Sequence, residues 1–311
     1  MVNINRGMHK IVLVTRRTRL MELVYKYNTV EQAKFYIEHL GVDFSDYLEE
    51  DKRYRQAVSQ VMNIAEKYAR VQEIDRNFVP NMIFGRQDVV IAVGQDGLVA
   101  NVMKYLDGQP LLGVNPDIKR WDGVLLPFEA GQLEQVLPRV IAGNHHAKDI
   151  TMAQATTKDG QMMLAVNDLF VGQKTHASAR YEITWNKDTE NQSSSGIIIS
   201  TGLGATGWYK SIMTEAGRIA EIFGGSLIAD RPLSWGEDRL TFVVREPYPS
   251  RATQADIVYG KIDKGDSFRI LSKMPENGVV FSDGIESDTI EFNSGIEIVI
   301  GVADRKGQLV V

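Results

Sequence analysis

The chain of 311 residues contains no cysteine, which excludes disulfides, thiolate nucleophiles and cysteine-ligated zinc. It also lacks a basic excess. Its 35 Lys and Arg stand against 40 Asp and Glu, a net charge of -5, whereas a nucleic-acid binder carries a basic footprint. No apolar run approaches the length of a transmembrane helix. The N-terminal residues show neither a signal peptide nor a long amphipathic presequence. These absences predict a cytoplasmic protein with no nucleic-acid partner and no membrane partner. Any catalysis must use carboxylates, histidine, lysine, hydroxyls or a bound metal. What remains is ordinary globular material, 43% hydrophobic and 24% charged, with enough apolar surface for real cores. A domain holds roughly 150 residues, so two domains are the natural expectation.

The most informative stretch runs from Asp88 to Asn101. Val89-Val90-Ile91-Ala92-Val93 reads as a buried parallel strand. Gly94-Gln95-Asp96-Gly97 follows, and Leu98, Val99, Val102, Met103 and Leu106 continue at helical spacing. Strand, glycine turn, helix is how an open α/β sheet presents backbone N–H groups to phosphate. A carboxylate beside a phosphate site repels the ligand unless a metal or a proton transfer uses it. Asp96 therefore reads either as a base or Mg²⁺-positioning residue for phosphoryl transfer, or as an ordinary Asp-Gly turn with Gly97 at positive φ.

Taken in order, Lys10 to Thr15 is the first strand, and Arg16-Arg17-Thr18-Arg19 follows it. These arginines either face phosphates at the carboxyl edge of a sheet or form a solvated basic loop, the simpler reading. Thr29-Val30-Glu31-Gln32 opens a helix that stops at Gly41. A longer helix spans about Lys52 to Tyr68, with Tyr54, Val58, Val61, Ala65 and Tyr68 on one core-facing side. The acidic run Asp43 to Asp51 reads as a solvated face or loop. Val71 to Ile74 and Pro110 to Asn115 are further strands, and Gln132 to Ile141 is a helix. Alternating strands and helices predict a doubly wound parallel sheet over residues 1–142.

Near Gly143 the helical periodicity gives way to short strands and turn signals. Strands are expected at Ile150 to Thr157, Met162 to Val166, Ala179 to Trp185 and Gly196 to Ser200, with a polar loop from Asn186 to Ser195. A second glycine-rich turn, Thr201 to Trp208, feeds a helix carrying Ile212, Met213, Ala216, Ile219 and Phe223. Further strands are expected at Leu240 to Val244, Ala255 to Lys261, Phe268 to Leu271, Gly278 to Phe281, Thr289 to Phe292 and Glu297 to Val302. This makes residues 143–288 a β-rich domain. A cleft between the two glycine turns is the default ligand site. His145-His146 is adjacent in sequence, so the two side chains diverge and make a poor metal pair.

Together these segments resemble the NAD kinase family, most closely its mitochondrial-type branch. The family's Gly-Gly-Asp-Gly loop is similar to Gly94-Gln95-Asp96-Gly97, its Asn-Glu pair to Asn167-Asp168, and its second glycine turn to Ser200 through Trp208. Gly113-Val114-Asn115-Pro116-Asp117, Arg120, Gly123 and Pro127 resemble the mitochondrial-type branch, as do Ser194-Ser195-Gly196, Arg245-Glu246-Pro247 and Asp283-Gly284. The matches run in order over nearly the whole chain. The resemblance implies a Rossmann-like N-terminal domain, a β-rich C-terminal domain, and a tail over residues 289–311 packing back on the first. It implies transfer of the terminal phosphoryl group of ATP, or of polyphosphate, to the 2′-hydroxyl of NAD to give NADP, with Mg²⁺ arriving on the nucleotide. Asp96 is then the base or metal-positioning residue, with Gly94, Gln95, Gly97 and Asn115 around the nucleotide. Asn167 and Asp168 grip the dinucleotide, Thr206 and Trp208 bound the adenine, and Thr201, Gly202 and Gly204 belong to the same nucleotide-binding turn. The alternative for Trp208 is a core aromatic at a helix start. A homodimer or higher assembly is also implied.

Besides Asp168 in place of Glu, three positions depart from the family. Gln95 replaces the second loop glycine, Leu98 a threonine, and Ala205 a serine. If position 95 needs positive φ, a side chain there costs roughly 1–2 kcal/mol. Two other functions stay open on these grounds: a related kinase for a sugar or lipid hydroxyl, and a dinucleotide-binding protein without turnover.

Overall fold

The computed structural model describes residues 10–226 and 231–311. Backbone contacts divide the chain into one unit that runs through Lys148 and regains Gly307–Val311, and a second formed by Asp149–Lys306. The division thus falls slightly after the expected residue 142, and most of the expected tail stays in the second unit.

The first unit contains β1 (Lys10–Thr15), α1 (Arg19–Tyr27), α2 (Val30–His39), α3 (Ser45–Ala65), β2 (Arg70–Asp75) and β3 (Val89–Val93). It continues with α4 (Asp96–Met103), β4 (Pro110–Asn115), β5 (Phe128–Glu129) and α5 (Leu133–Ile141). β6 (Ala147–Ile150) crosses the boundary, and β19 (Gly307–Val310) returns from beyond the second unit. The sheet order is β2-β1-β3-β4-β19-β6, with β5 also on β4. β1 runs parallel to β2 and β3, and β4 runs parallel to β3, β5 and β19. Ile11, Leu13, Ile91, Val93 and Leu112 pack against Tyr54, Val61 and Leu137 of α3 and α5. Val12, Val14, Val90 and Ala92 alternate onto the other face and are buried as well. Strands covered on both faces need continuous apolar runs, which is why the sequence located them so closely.

Charge hid the rest of this unit. α1 was not anticipated; Thr18 caps it, its hydroxyl accepting from the Met21 N–H at 3.2 Å. The expected solvated arginine loop is instead pinned by acidic side chains. α3 begins at Ser45, well before Lys52, and buries Glu50 and Asp51 from the run expected in solvent. Glu50 pairs with Arg16 at 3.2 Å and with Arg19, while Asp51 accepts from the Thr18 hydroxyl at 2.6 Å and pairs with Arg55 at 2.7 Å. Cations more than thirty residues away offset the burial of Glu50, and Thr18 with Arg55, one turn on in the same helix, does so for Asp51.

The second unit contains β7 (Ala153–Thr157), β8 (Met162–Ala165), β9 (Asp168–Gln173), β10 (Ala179–Trp185), β11 (Asp188–Ser194) and β12 (Ile197–Ser200). α6 (Trp208–Ile222) follows, then β13 (Arg239–Val244), β14 (Tyr259–Asp263), β15 (Phe268–Ser272), β16 (Gly278–Ser282), β17 (Ile285–Glu291) and β18 (Glu297–Val302). Two antiparallel sheets result, β11-β10-β15-β18-β7-β8 and β14-β13-β12-β9-β16-β17. Tyr181, Ile183, Phe268 and Ile298 of the first meet Leu169, Val171, Ile197, Ile199 and Phe242 of the second in one core. Phe170, Ile198 and Phe281 alternate outward against Trp208, Tyr209 and Ile212 of α6.

Three local expectations change here. The polar loop Asn186 to Ser195 is a tight turn plus β11. Asn186 and Lys187 take φ of 49° and 78°, the left-handed pair of a two-residue hairpin. β11 escaped a hydropathy reading because its inward positions are Glu190, Gln192 and Ser194, which are buried but hydrogen-bonded. Gln192 accepts from the Tyr181 hydroxyl at 2.9 Å. Glu190 also takes the N–H groups of Asp256 and Ile257 at 3.3 and 2.9 Å. These amides are therefore not in a ladder, and β14 starts at Tyr259 rather than Ala255. The expected strand Ile150 to Thr157 is broken at Thr151, whose N–H goes to the Trp235 carbonyl at 2.8 Å. Among the described residues no helix is long and apolar enough to cross a membrane.

Candidate functional site

In the first unit the site is built on the carboxyl end of β3. Gly94 is required by space: a Cβ there would sit 2.8 Å from Leu98 Cδ2 and 3.5 Å from Arg16 Cδ. Its N–H donates to the Val114 carbonyl at 3.1 Å, tying the loop to β4. Gln95 is the residue before α4, with φ -122° and ψ 166°. That is ordinary extended backbone, so the strain anticipated for a side chain at position 95 does not arise. Gly97 lies inside the first turn of α4 and not at positive φ, and a Cβ there would meet nothing within 4 Å. The first N–H groups of a helix have no intrahelical acceptor, so the amides of Asp96 and Gly97, at the head of α4, are left without one. Leu98, where the family has threonine, is buried beneath Gly94.

Asp96 is half-buried at the head of α4. Its Oδ1 accepts from the Leu125 N–H at 2.6 Å, which fixes the carboxylate and leaves Oδ2 outside that bond. The loop after β4 supplies this amide, and Gly113 permits it, since a Cβ at 113 would lie 1.9 Å from the Leu125 carbonyl oxygen. Asn115 holds the same loop. Its Nδ2 donates to the Trp121 carbonyl at 3.0 Å and its Oδ1 accepts from the Asp117 N–H at 3.0 Å. Gly123, at φ +68°, comes so close that a Cβ would meet Asn115 Nδ2 at 2.7 Å. The Asn115 amide is thus engaged inside the protein and shapes the support of Asp96. Tyr54 was read only as core. Its hydroxyl accepts from the Arg16 N–H at 2.7 Å and donates to the Val93 carbonyl at 3.2 Å, clamping the ends of β1 and β3. Burial, the largest influence, pushes its pKa up to about 12, so it stays a neutral donor.

The second unit carries the other glycine turn. Thr201 is buried, its hydroxyl donating to the Val166 carbonyl at 2.6 Å and accepting from the Gly204 N–H at 3.1 Å. Cβ atoms at Gly202 and Gly204 would fall 2.1 Å from the Ser234 oxygen and 2.0 Å from the Asn167 oxygen. Thr201, Gly202 and Gly204 therefore form the packed floor of the turn. Thr206 is exposed and lines a cavity of about 520 Å³ with Tyr209, Lys210, Trp235, Tyr259 and Lys261. Trp208 stacks on Phe170 at 5.7 Å between centroids, and the Arg245 guanidinium lies 5.2 Å from its ring. These contacts leave the ring half-buried.

Asn167 and Asp168 sit where β9 begins, Asp168 opposite Ser200 of β12. Asp283, which was noted only as part of a motif, organises them. At φ 53° it aims its carboxylate at the N–H groups of Val166, Asn167 and Asp168, with Oδ1 at 3.1, 2.6 and 3.4 Å. The Asp283-Gly284 turn signal was the only trace of this in the sequence. Asp168 is buried, and burial first, then the Asp283 charge, lifts its carboxyl to about 7. Among the described residues no three His, Asp or Glu side chains cluster as a metal cage. Asp96 alone fits a cation that arrives already bound to phosphate.

No family profile matches the chain. Curated relatives do: an NAD kinase of Ralstonia nicotianae is 30% identical over 143 residues, 42% of this chain and 44% of that protein. An NAD kinase of Chlorobaculum tepidum is 26% identical over 128 residues, 40% of this chain and 44% of that protein. In these matches the chain spans under half the length of its relatives. Solved structures align almost throughout. Yeast NADH kinase complexed with NADH aligns with a TM-score of 0.59 at 16% identity, covering 97% of this chain and 83% of the other. Over about two fifths of its length the chain is thus similar in sequence to NAD kinases. A second NAD kinase structure, from Archaeoglobus fulgidus in complex with ATP, has a TM-score of 0.55 at 15% identity, covering 98% of this chain and 94% of that one. The fold is accordingly the NAD kinase fold, an α/β unit with a β-rich partner unit.

Proposed function

We propose that this protein transfers the terminal phosphoryl group of ATP to the 2′-hydroxyl of NAD, giving NADP and ADP. The observation that carries this reading is Asp96: a carboxylate fixed through one oxygen, at the head of α4, beside the open amides of the Gly94–Gly97 turn. The 2′-oxygen attacks the terminal phosphorus, a new P–O bond forms, and the bridging P–O bond to ADP breaks. The 2′-hydroxyl proton passes to Asp96 Oδ2, and the turn amides take negative charge on the transferring group. Mg²⁺ bound with ATP would neutralise phosphate charge, with Asp96 as its protein contact. Asn167 and Asp168, set by Asp283, hold the dinucleotide, and Thr206 opens onto its cavity. Gln95 in extended backbone is compatible with turnover.

Gly113 through Asp117 and the Asp283-Gly284 pair favour the mitochondrial-type branch. A homodimer and a cytoplasmic setting belong to the same proposal. The test is a product assay with purified protein, Mg-ATP and NAD or NADH. NADP(H) formation that collapses in Asp96→Asn is expected. NAD binding without product in the wild type would overturn the kinase reading in favour of a binding protein, and no binding would redirect the search to sugar or lipid hydroxyls.

A further inference from the structure

Strand alternation decides where the Asp168 side chain stands. In β9, Leu169 and Val171 point into the core between the two sheets, and Phe170 points outward toward α6. Asp168 therefore shares the outer face with Phe170. Its register partner is Ser200 of β12, which pairs with Thr241 of β13, which in turn pairs with Lys261 of β14. Residues in register stand about 5 Å apart on one face, so a polar row, Asp168-Ser200-Thr241-Lys261, crosses the sheet. The next row on that face, Phe170-Ile198-Val243-Tyr259, is apolar or aromatic and packs under α6. Ser200, Thr241 and Lys261 line the cavity of about 520 Å³ onto which Thr206 opens, and Asp168 is the remaining member of their row.

The surroundings of Asp168 select one form of its carboxyl. The residue is 7% exposed, and its side chain accepts no hydrogen bond among the described residues, yet its oxygens are not sealed in. Asp283 has the opposite setting, with the N–H groups of Val166, Asn167 and Asp168 at 3.1, 2.6 and 3.4 Å from its Oδ1. Amide donors favour a carboxylate, and desolvation disfavours one. Of the two neighbours, Asp283 therefore carries the charge and Asp168 keeps a proton. Burial first, then the Asp283 charge, accordingly raises Asp168 to about 7. The cations on this side of the sheet do not reverse that. Lys261 stands at the far end of the row, Lys210 of α6 and Arg231 line the cavity, and Arg231 pairs with Glu237 at 3.1 Å. Asp283 alone acts on Asp168 through its charge.

We propose that Asp168 meets the dinucleotide as a neutral acid, donating its O–H to a ligand atom that carries no hydrogen, so that the second unit prefers the dinucleotide in its protonated form. A carboxylate in the same place would accept from ribose hydroxyls; a neutral carboxyl suits a purine ring nitrogen or a carboxamide oxygen. The identity of the ligand rests on the function proposed above; the protonation of Asp168 does not.

The test is calorimetric titration of NAD into the full chain, without ATP, at pH 6 and pH 8. Two buffers of different ionisation heat at each pH count the protons taken up on binding. With the Asp168 carboxyl at about 7, affinity should be about ten-fold higher at pH 6 than at pH 8, and binding at pH 8 should take up about one proton. Asp168→Asn keeps a donor and loses the titration, so it should show neither effect; its melting temperature verifies its fold. Infrared difference spectra of the ligand-free wild type against Asp168→Asn should show the carbonyl band of a neutral carboxyl at pH 6 and its loss by pH 9. Equal or higher affinity at pH 8, no proton uptake there, or a carboxylate already formed at pH 6 would overturn the proposal. So would the wild-type pH profile in Asp168→Asn, which would move the titrating group elsewhere. The same profile with ADP-ribose places the acceptor atom in the adenosine half, and a flat one with ADP-ribose beside a steep one with NAD places it in the nicotinamide half. The expected profile in a protein that makes no NADP would sink the kinase reading and leave this one standing. NADP formation with a flat profile would sink this one alone, and no NAD binding at either pH would overturn both.

Discussion

The two glycine turns look alike in sequence, each following a buried strand and opening a helix, but they use glycine for different ends. At Gly94–Gly97 the glycines keep a helix start clear: Gly97 faces open space, and Gln95 between them is unstrained. At Thr201–Gly204 they allow backbone to lie on backbone, with Gly202 against Ser234 and Gly204 against Asn167. One turn leaves a helix start uncovered; the other is interior structure packed against the start of β9. A glycine motif therefore reports close approach, and only the neighbours tell whether the approaching group is a ligand or the protein itself.

This contrast can be broken by mutation. The largest effect is expected at Asp96→Asn, which should lower kcat for NADP formation by a factor of about 10²–10⁴ while leaving the melting temperature near that of the wild type. Next, Gly204→Ala and Gly202→Ala should each destabilise the protein by about 2–3 kcal/mol or more, read by denaturant unfolding. Gly97→Ala should be neutral or stabilising by up to about 1 kcal/mol and yet weaken ATP binding. Comparable unfolding curves for Gly97→Ala and Gly204→Ala would erase the distinction.

A third expectation concerns the carboxyl of Asp168, lifted to about 7 by burial and by Asp283. In the unfolded chain it titrates near 4. The stability tied to its protonation is complete below pH about 4 and is lost as pH rises to about 7, with a slope of up to about 1.4 kcal/mol per pH unit. Asp168→Asn should flatten that slope and unfold at higher denaturant than the wild type at pH about 8; equal slopes in the two proteins would refute the assignment. The smallest effect is expected at Gln95→Gly. Since φ is already -122°, restoring the family's glycine should shift stability by less than about 1 kcal/mol, and a large gain would mean that the loop is strained after all.

Legibility followed the physics of burial. β1, β3 and β4 were readable nearly to the residue because a strand covered on both faces has no polar positions. β11 was not, because its buried face is Glu190, Gln192 and Ser194, whose satisfaction by Tyr181 and the 256–257 amides is a tertiary fact. The Arg16–Arg19 segment and the head of α3 failed for a related reason, since each looks solvated until the other is placed beside it. Of the candidate site, Asp96 and its turn were legible as a local strand-turn-helix pattern. The roles of Leu125, Tyr54 and Asp283 were not, because each acts through a backbone group or a left-handed residue far away in sequence. Asn115 and Thr201 were recognised as important but their side chains turn inward, a direction that a motif does not encode.

The position of β19 carries a consequence for the order of events during synthesis. Its Leu309 lies beside Leu111 of β4 in the first unit's sheet, although every residue of the second unit is made in between. At translation rates of about 5–20 residues per second, β4 waits roughly ten to forty seconds for that neighbour. The unit that is begun first is thus completed last, and until then its sheet has an unpaired strand edge, the kind of edge that recruits other chains.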